Sequence, residues 1–158
     1  MIIRKIKDHD NDKIASIIKK VIIEMKAPKI GTAYADPNLN MLSQDYKMPR
    51  SIYYILEHNN EILGGAGINL LNHCSQNVCE LQKMYFLKKA RGRGWGESII
   101  NKCLKFAKDQ NFKSCYLETL SSMKIAQKLY LKKGFNYIEK PMGNTGHNNC
   151  DVWMIKHL

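Results

Sequence analysis

Six residues near the middle of the chain, RGRGWG at positions 91–96, place two arginines and three glycines between a strand-like run and an amphipathic one. Each glycine costs conformational entropy on folding, so three in six positions indicate a backbone that needs their freedom. Consecutive N–H groups that lead into a helix N-terminus form an anion site. The run therefore predicts a phosphate-binding turn, in which the guanidinium groups of Arg91 and Arg93 add charged planar donors.

Two common phosphate-binding loops are excluded by spacing. The dinucleotide fingerprint GxGxxG, started at Gly92 and Gly94, would need a third glycine where the chain has Glu97. A nucleotide P-loop needs a lysine followed by serine or threonine after the last glycine, and this chain continues with ESII. A phosphate group bound at this turn is therefore expected to belong to a ligand that neither of these two loops binds.

Hydrophobic periodicity on both sides of the glycine run predicts an alternation of strands and helices. Helical spacing occurs from Ile14 to Met25, from Ile99 to Ala107 and from Ala126 to Tyr130. Strand-like runs are predicted at 2–6, 51–58, 61–70, 77–89, 114–120, 135–139 and 151–155. Without internal repeats, this order predicts a single α/β (α+β) domain over residues 1–158, with helices around a mixed central sheet.

Finer details of these elements are also predicted. Asn59-Asn60 is a plausible tight hairpin turn. Strict alternation along NVCELQKMYF puts Glu80, Gln82 and Met84 on one face of its strand and Lys83 and Tyr85 on the other. The third helix is expected to be capped by Ser121 or Ser122 and to end at Gly134.

Composition narrows the class of protein and its partners. The net charge is +11, with lysines scattered along the whole chain. Scattered lysine indicates a solvated basic surface that favours an anionic ligand, whereas a nucleic-acid footprint would cluster, so nucleic acid is the less favoured partner. The five cysteines include no CxxC pair, which favours reduced thiols. With no long apolar run and no signal-like N-terminus, we expect a cytoplasmic protein without a membrane partner.

The chain resembles the GNAT superfamily of acyl-CoA-dependent N-acetyltransferases in two motifs that occur in order. Arg91, Gly94 and Gly96 match its R-x-x-G-x-G pyrophosphate loop, and the later L-Y-x-x-x-G-F motif is matched over residues 129–135. ELQKMY, LETLSSMKIAQKLY and GHNNCDVW are similar to a small single-domain subgroup. The chain departs at Met123, where many relatives have an asparagine that contacts the cofactor, so that contact is not expected here.

The resemblance implies acetyl-CoA as cosubstrate, a mixed sheet with splayed parallel strands, and transfer of the acetyl group to an amine of a small molecule or peptide within one ternary complex. It implies that Glu80 is the general base and Tyr130 the general acid. Two groups of residues complete the expected site. The backbone of Met84, Tyr85 and Phe86, together with Arg91, Gly92, Arg93, Gly94, Trp95 and Gly96, would bind the cofactor, and Tyr34, Asp36 and His147 would line the acceptor side.

Other interpretations stay open at this point. Glu80 and Tyr130 are also consistent with a structural strand carboxylate and a core aromatic residue, in which case the chain would be a non-catalytic acyl-CoA-binding module. A small basic RNA-binding domain is a third alternative. No metal site is expected, because His147 and Cys150 lack the paired spacing of zinc ligands, and Cys150 has no recognisable activating partner. A homodimer paired through the strand at 151–155 is a further option.

Overall fold

The computed structural model describes the whole chain, Met1–Leu158, as one seven-stranded sheet with helices on both faces. The strands run in the order β1-β2-β3-β4-β5-β7-β6, and only β4 and β5 are parallel neighbours. The elements are β1 (Ile2–Lys5), α1 (Asn11–Glu24), α2 (Leu42–Asp45), β2 (Ile52–His58), β3 (Glu61–Leu70), β4 (Val78–Phe86), α3 (Trp95–Asp109), β5 (Ser114–Thr119), α4 (Lys124–Lys132), β6 (Asn136–Ile138) and β7 (Val152–His157). The predicted mixed α/β sheet is confirmed.

Each face of the sheet has its own apolar core. On one face, α1 and the connector (residues 27–50) cover β2, and Ile14, Ile18 and Ile22 of α1 are fully buried there. On the other face, α3 contributes Ile99 and Ile100 to a larger cluster that also contains Tyr130. Burying an isoleucine side chain contributes roughly 1.5–3 kcal/mol, so the helical stripes seen in the sequence fix both helices onto the sheet.

The hairpin turn predicted at Asn59 and Asn60 is confirmed, and both residues have positive φ.

A bulge near the end of β4 breaks the predicted alternation of its side chains. The pairing between β3 and β4 passes from the pair Gly67–Gln82 to the pair Gly65–Tyr85, so β4 has one more residue than β3 over this stretch. Lys83 has a φ of 50° there, and its carbonyl accepts a hydrogen bond from Tyr53 Oη at 2.9 Å.

The bulge changes which side chains share a face beyond Gln82. Met84 packs with the cluster on the α3 face, and Tyr85 packs with the cluster on the α1 face. The prediction that Met84 lies on the same face as Glu80 is therefore wrong. An extra residue shifts the two-residue period by one step, and nothing in the local sequence announces a non-glycine residue at positive φ.

The parallel strands β4 and β5 separate after three paired residues. Residues 78–80 pair with residues 114–116, and the remainder of each strand continues without the other. The edge of β4 that faces β5 therefore has no strand partner over residues 81–86, although the carbonyls of Lys83 and Phe86 accept hydrogen bonds from the side chains of Tyr53 and Arg91. The splayed parallel strands that the resemblance implied are confirmed.

Two predictions about the C-terminal half need correction. Helix α4 begins at Lys124 with Met123 at its N-cap position, and neither Ser121 nor Ser122 caps it. The backbone at Ser121 instead donates to the Asp151 carboxylate at 2.7 Å, which holds this turn against the strand that follows Asp151. The end of α4 before Gly134, at a φ of 81°, is as expected.

The C-terminal strand does not offer a free edge for a dimer. β7 pairs with β5 along its whole length and with β6 over residues 153–155. Both sides of residues 153–155 are already paired within the chain, so the predicted pairing across a homodimer would require β6 to be displaced, and it stays a prediction. None of the helices combines the length and the apolar character that crossing a membrane requires.

Candidate active site

The glycine run forms an open turn at the start of α3. Gly92 and Gly94 have φ values of 70° and 75°, and a Cβ added to either would meet no atom within 4 Å. The first intrahelical N–H bond is donated by Ser98 to Gly94 O, so the N–H groups of the first three helical residues have no backbone acceptor. Positive φ explains the glycines, and the free N–H groups with open space above them suit a phosphate group.

The two arginines of the run have different surroundings. Arg91 donates from Nε to Phe86 O at 2.8 Å, and its terminal nitrogens donate to the two oxygens of Glu24 at 2.6 and 3.3 Å. Arg93 is exposed, with its guanidinium carbon 5.4 Å from the centre of the Trp95 ring. Arg91 therefore braces the turn against β4 and α1, and Arg93 is the arginine that is free to meet an anion.

A cavity opens where β4 and β5 part, and Glu80, Tyr130 and His147 all line it, together with Gln82, Lys83 and Glu118. We call it the splay cavity. Glu80 stands in the last paired row of the two strands, opposite Tyr116. The structure thus brings together two predicted catalytic residues that are 50 positions apart in the sequence.

Glu80 is buried and held by a short polar chain. Its side chain is 3% exposed, and Oε2 accepts a hydrogen bond from Gln82 Nε2 at 2.6 Å. Gln82 Oε1 in turn accepts from Tyr46 Oη at 2.9 Å. Burial raises the pKa of Glu80 to about 7, against the lowering effect of the Gln82 hydrogen bond, and the nearby Glu118 charge raises it further. A carboxyl group with such a pKa changes its charge near neutral pH.

Gly67 on β3 explains how Tyr46 reaches this chain of hydrogen bonds. A Cβ at position 67 would lie 2.7 Å from three atoms of the Tyr46 ring and hydroxyl. The absence of a side chain lets the ring lie across the strand with its hydroxyl at Gln82. The glycine thereby acts through two side chains on the orientation of Glu80.

Tyr130 presents its hydroxyl to the same cavity. The residue is 6% exposed, and its ring packs edge-on against Phe135 with the ring centres 6.0 Å apart. Burial raises the pKa of the phenol above its ordinary value, and no protein group is hydrogen-bonded to it. At neutral pH the hydroxyl is protonated and available to a ligand.

Asp36 and His147 join two segments at the mouth of the cavity. His147 Nε2 lies 3.0 Å from Asp36 Oδ1, and Lys83 Nζ lies 2.8 Å from Asp36 Oδ2. Burial would raise the pKa of Asp36, but the hydrogen bond from His147 and the Lys83 charge outweigh it and lower the pKa to about 2. Asn149 adds hydrogen bonds to the carbonyls of Gly31 and Ile30. The connector and the C-terminal loop (residues 139–151) are thus linked to each other.

Of the three predicted acceptor residues, only His147 lines the cavity: Asp36 contacts the lining residues His147 and Lys83, and Tyr34 lies away from it. Its ring lies beneath the ammonium groups of Lys19 and Lys29, at 5.8 and 5.3 Å. Sequence reasoning in turn missed Gln82, Lys83 and Glu118 as site residues. Gln82 could have been found from its two-residue spacing to Glu80, whereas Lys83 depends on the bulge and Glu118 on the register between two strands.

The cysteines and histidines show no metal-binding arrangement, since no group of three or more potential ligands gathers anywhere in the chain. Cys150 lines the splay cavity, and burial together with the charges of Glu118 and Glu80 raises the pKa of its thiol to about 12. A thiol in that environment is protonated at neutral pH, which makes it a poor nucleophile.

Comparison with known proteins shows the family to which the chain belongs. The model of the acetyltransferase (GNAT) family matches residues 21–135. The chain is 40% identical over 159 residues to YjgM, an uncharacterised N-acetyltransferase of Escherichia coli (strain K12), and the match covers 99% of this chain and 95% of that protein. These findings define the class as an acyltransferase. The chain belongs to the GNAT family of acetyltransferases.

Solved structures share the fold at low sequence identity. An acetyltransferase of the GNAT family from Staphylococcus aureus Mu50 superposes with a TM-score of 0.85 at 19% identity, over 99% of this chain and 98% of that one. The structure of yncA from Salmonella typhimurium with its cofactor acetyl-CoA has a TM-score of 0.79 at 15% identity, over 99% and 93% of the two chains. The shared fold includes the whole sheet described above.

Proposed function

We propose that this chain acetylates a primary amine with acetyl-CoA in a single ternary complex, with Glu80 as general base and Tyr130 as general acid. The observation that carries the proposal is that both side chains line one cavity, at the point where β4 and β5 part and near the end of β4 that leads to the glycine turn. The buried position of Glu80 and its pKa of about 7 further support it.

The residues around the opening fit an acyl-CoA. Residues 92–97 offer free N–H groups and open space for the pyrophosphate, with Arg93 beside them. The unpaired edge of β4 at Met84, Tyr85 and Phe86 suits the amide-bearing pantetheine arm, which would pair with it like an added strand. Bound acetyl-CoA supplies an activated acetyl thioester and a thiolate leaving group. The yncA structure, solved with acetyl-CoA, supports this fit by shared fold.

Glu80 and Tyr130 divide the proton transfers between them. An alkylammonium with a pKa of ~10 must lose a proton before its nitrogen attacks, and ionised Glu80 accepts that proton directly or through water. As the C–N bond forms and the C–S bond breaks, the departing thiolate takes a proton from the Tyr130 hydroxyl. The second proton that the new amide nitrogen must lose restores Tyr130, directly or through water, and Glu80 releases its own proton to solvent. Burial raises the pKa of Tyr130 and keeps its hydroxyl protonated at neutral pH, and the same burial would raise the pKa of the departing thiol, so the transfer between them stays feasible.

A covalent acetyl-cysteine route through Cys150 would be an alternative to the ternary complex, and the raised pKa of that thiol argues against it. Initial rates measured while both substrates are varied distinguish the two routes. Intersecting double-reciprocal lines are expected for the ternary complex, whereas parallel lines would indicate an acetyl-enzyme.

Replacement of Tyr130 by phenylalanine is expected to lower kcat about tenfold to a hundredfold, because the thiolate must then take its proton from water. Thiol release with a panel of amines measures this, and calorimetry should give an unchanged Kd for coenzyme A. Tyr137→Phe is the matched control, since Tyr137 is half exposed and bonded to Gln127. Binding of acetyl-CoA without thiol release, unaltered by Tyr130→Phe, would support a non-catalytic binding module instead.

Replacement of Arg93 by alanine is expected to raise the Kd for coenzyme A about tenfold at low salt, because one charged donor to phosphate is lost. The difference should shrink as salt rises. Calorimetry at two salt concentrations tests this, with Lys105→Ala as a control that removes an exposed charge in the last turns of α3. Equal affinities for wild type and Arg93→Ala would contradict this role.

Arg91→Ala is expected mainly to lower the melting temperature, because it removes the contact with Glu24.

A further inference from the structure

Glu118 is a carboxylate of the splay cavity that has no cationic partner. Its Oε1 accepts a hydrogen bond from Tyr116 Oη at 2.6 Å, and its Oε2 accepts one from Thr145 Oγ1 at 2.7 Å. Both donors are neutral hydroxyl groups, and no lysine, arginine or histidine forms an ion pair with it. The two hydrogen bonds fix the carboxylate in one orientation, and its negative charge is left uncompensated beside the cavity.

The cationic groups that line the splay cavity are already engaged. Lys83 and His147 both contact Asp36, so the two cations share one carboxylate at the mouth. Glu80, which is 97% buried, uses only Oε2 in a protein hydrogen bond and has Oε1 free. Glu80 and Glu118 are thus two carboxyl groups of the cavity that have no cation in direct contact, although the charges of Lys83 and His147 act on Glu80 from a distance.

Strand geometry sets the separation of these two carboxyl groups. Glu80 pairs with Tyr116 across the last row between β4 and β5, and Glu118 is two residues farther along β5 on the same face. Two residues of strand and one step between paired strands would put the two backbone positions about 8 Å apart, and because β4 and β5 part after Glu80 the actual separation is at least that large. A short flexible chain with a nitrogen at each end spans such a distance.

We infer that the acceptor is an α,ω-diamine or a longer polyamine, whose reacting nitrogen lies at Glu80 while Glu118 binds the ammonium group at the other end. This inference rests on the proposed function for the identity of the reacting end. Glu118 discriminates between acceptors. Its carboxylate, held by hydrogen bonds from the hydroxyl groups of Tyr116 and Thr145, attracts a second cation and repels an acceptor that ends in a carboxylate.

Three acceptors with the same four-carbon chain test the inference: putrescine, 4-aminobutanol and γ-aminobutyrate. They present a cationic, a neutral and an anionic far end, respectively. In wild type, kcat/KM for putrescine is expected to exceed that for 4-aminobutanol about tenfold, and γ-aminobutyrate should be the poorest acceptor. Equal values for all three, or a preference for γ-aminobutyrate, would overturn the inference while leaving acetyl transfer itself intact.

Glu118→Gln is the informative variant. Both acceptors should be compared well above pH 7, where Glu80 is ionised with or without the Glu118 charge. There the KM for putrescine should rise about tenfold relative to that for 4-aminobutanol, so that the preference disappears. Glu139→Gln removes an exposed carboxylate elsewhere on the surface and serves as the matched control. Glu118→Asp keeps the charge but withdraws it by one methylene, so its best substrate in a series from ethylenediamine to hexamethylenediamine should be longer than that of wild type. A merely structural role for Glu118 would not shift this optimum.

A binding measurement separates failure of the inference from failure of the proposed function. Calorimetric titration of putrescine into the full chain in the presence of coenzyme A does not require turnover. If no amine causes thiol release but putrescine binds to wild type and not to Glu118→Gln, the proposed reaction is wrong and the diamine site stands. If putrescine and 4-aminobutanol bind equally well to both proteins, the diamine site is wrong. A melting curve of Glu118→Gln that matches wild type excludes loss of the fold as the cause.

Discussion

Glu80→Gln is expected to lower kcat/KM by a factor of about 10²–10⁴, because the amide cannot accept the proton of the attacking amine. The amide oxygen can still accept the hydrogen bond from Gln82, so the surrounding geometry should be retained. In wild type, the rate should rise with pH through about 7 as Glu80 loses its proton. The variant should lack this rise, while the rise due to the amine substrate itself remains.

The pH profile distinguishes a base from a structural carboxylate. A carboxylate that only supports the cavity would affect the rate without removing a titration near pH 7 from the profile. Thiol release measured over a range of pH with one amine is the assay, and Glu139→Gln is the control. A wild-type profile without a rise near pH 7, or an unaltered profile in Glu80→Gln, would contradict the assignment of Glu80 as the base.

The same substitution is expected to stabilise the fold near pH 8. The pKa of Glu80 is raised from 4.5 to about 7 by burial, so between these values the unfolded chain loses a proton that the folded chain keeps. Wild-type stability therefore falls as pH rises through this window, and above it the loss is constant at about 3 kcal/mol. Glutamine does not titrate, so the free energy of unfolding of Glu80→Gln should exceed that of wild type by about this amount near pH 8 and much less near pH 4.5.

Urea denaturation of both proteins at the two pH values tests this, because other titrating groups cancel in the difference between wild type and variant. Glu139→Gln should show no pH-dependent difference. A variant less stable than wild type near pH 8 would mean that Glu80 gains more from its surroundings as an anion than it loses on burial. Together with the expected loss of activity, the expected stability result would mean that Glu80 is needed for the reaction and destabilises the folded protein.

Local patterns in the sequence were sufficient for much of the fold. The stripes of α1 and α3, the Asn59-Asn60 turn and the helix end before Gly134 depend on residues a few positions apart, and all were predicted. The glycine turn was predicted for the same reason, since strand, glycines and helix are contiguous. The caps of α4 were not, because the turn at Ser121 is set by Asp151, thirty residues away.

The site was harder to predict from the sequence, because the surroundings of each side chain depend on residues that are far away along the chain. Arg91 and Arg93 look equivalent in the sequence. Arg91, however, forms an ion pair with Glu24, which is 67 residues away, whereas Arg93 stays exposed. Lys83 enters the site only because of the bulge in β4. Glu118 acquires its relation to Glu80 only through the register between β4 and β5. Such facts follow from the assembled sheet and from no single stretch of chain.

The link between the connector and the C-terminal loop has a consequence for how the molecule is assembled. His147 and Asp36 are 111 residues apart in the sequence, and Asn149 and Ile30 are 119 apart. Contacts between segments so distant along the chain carry a large entropic cost of loop closure, so we expect them to form after the local contacts. The strand, turn and helix that are proposed to bind the coenzyme are consecutive and need no such closure. The link between the connector and the C-terminal loop is thus expected to be added to a sheet that already pairs without it, and substitutions in these two segments should carry less risk to folding.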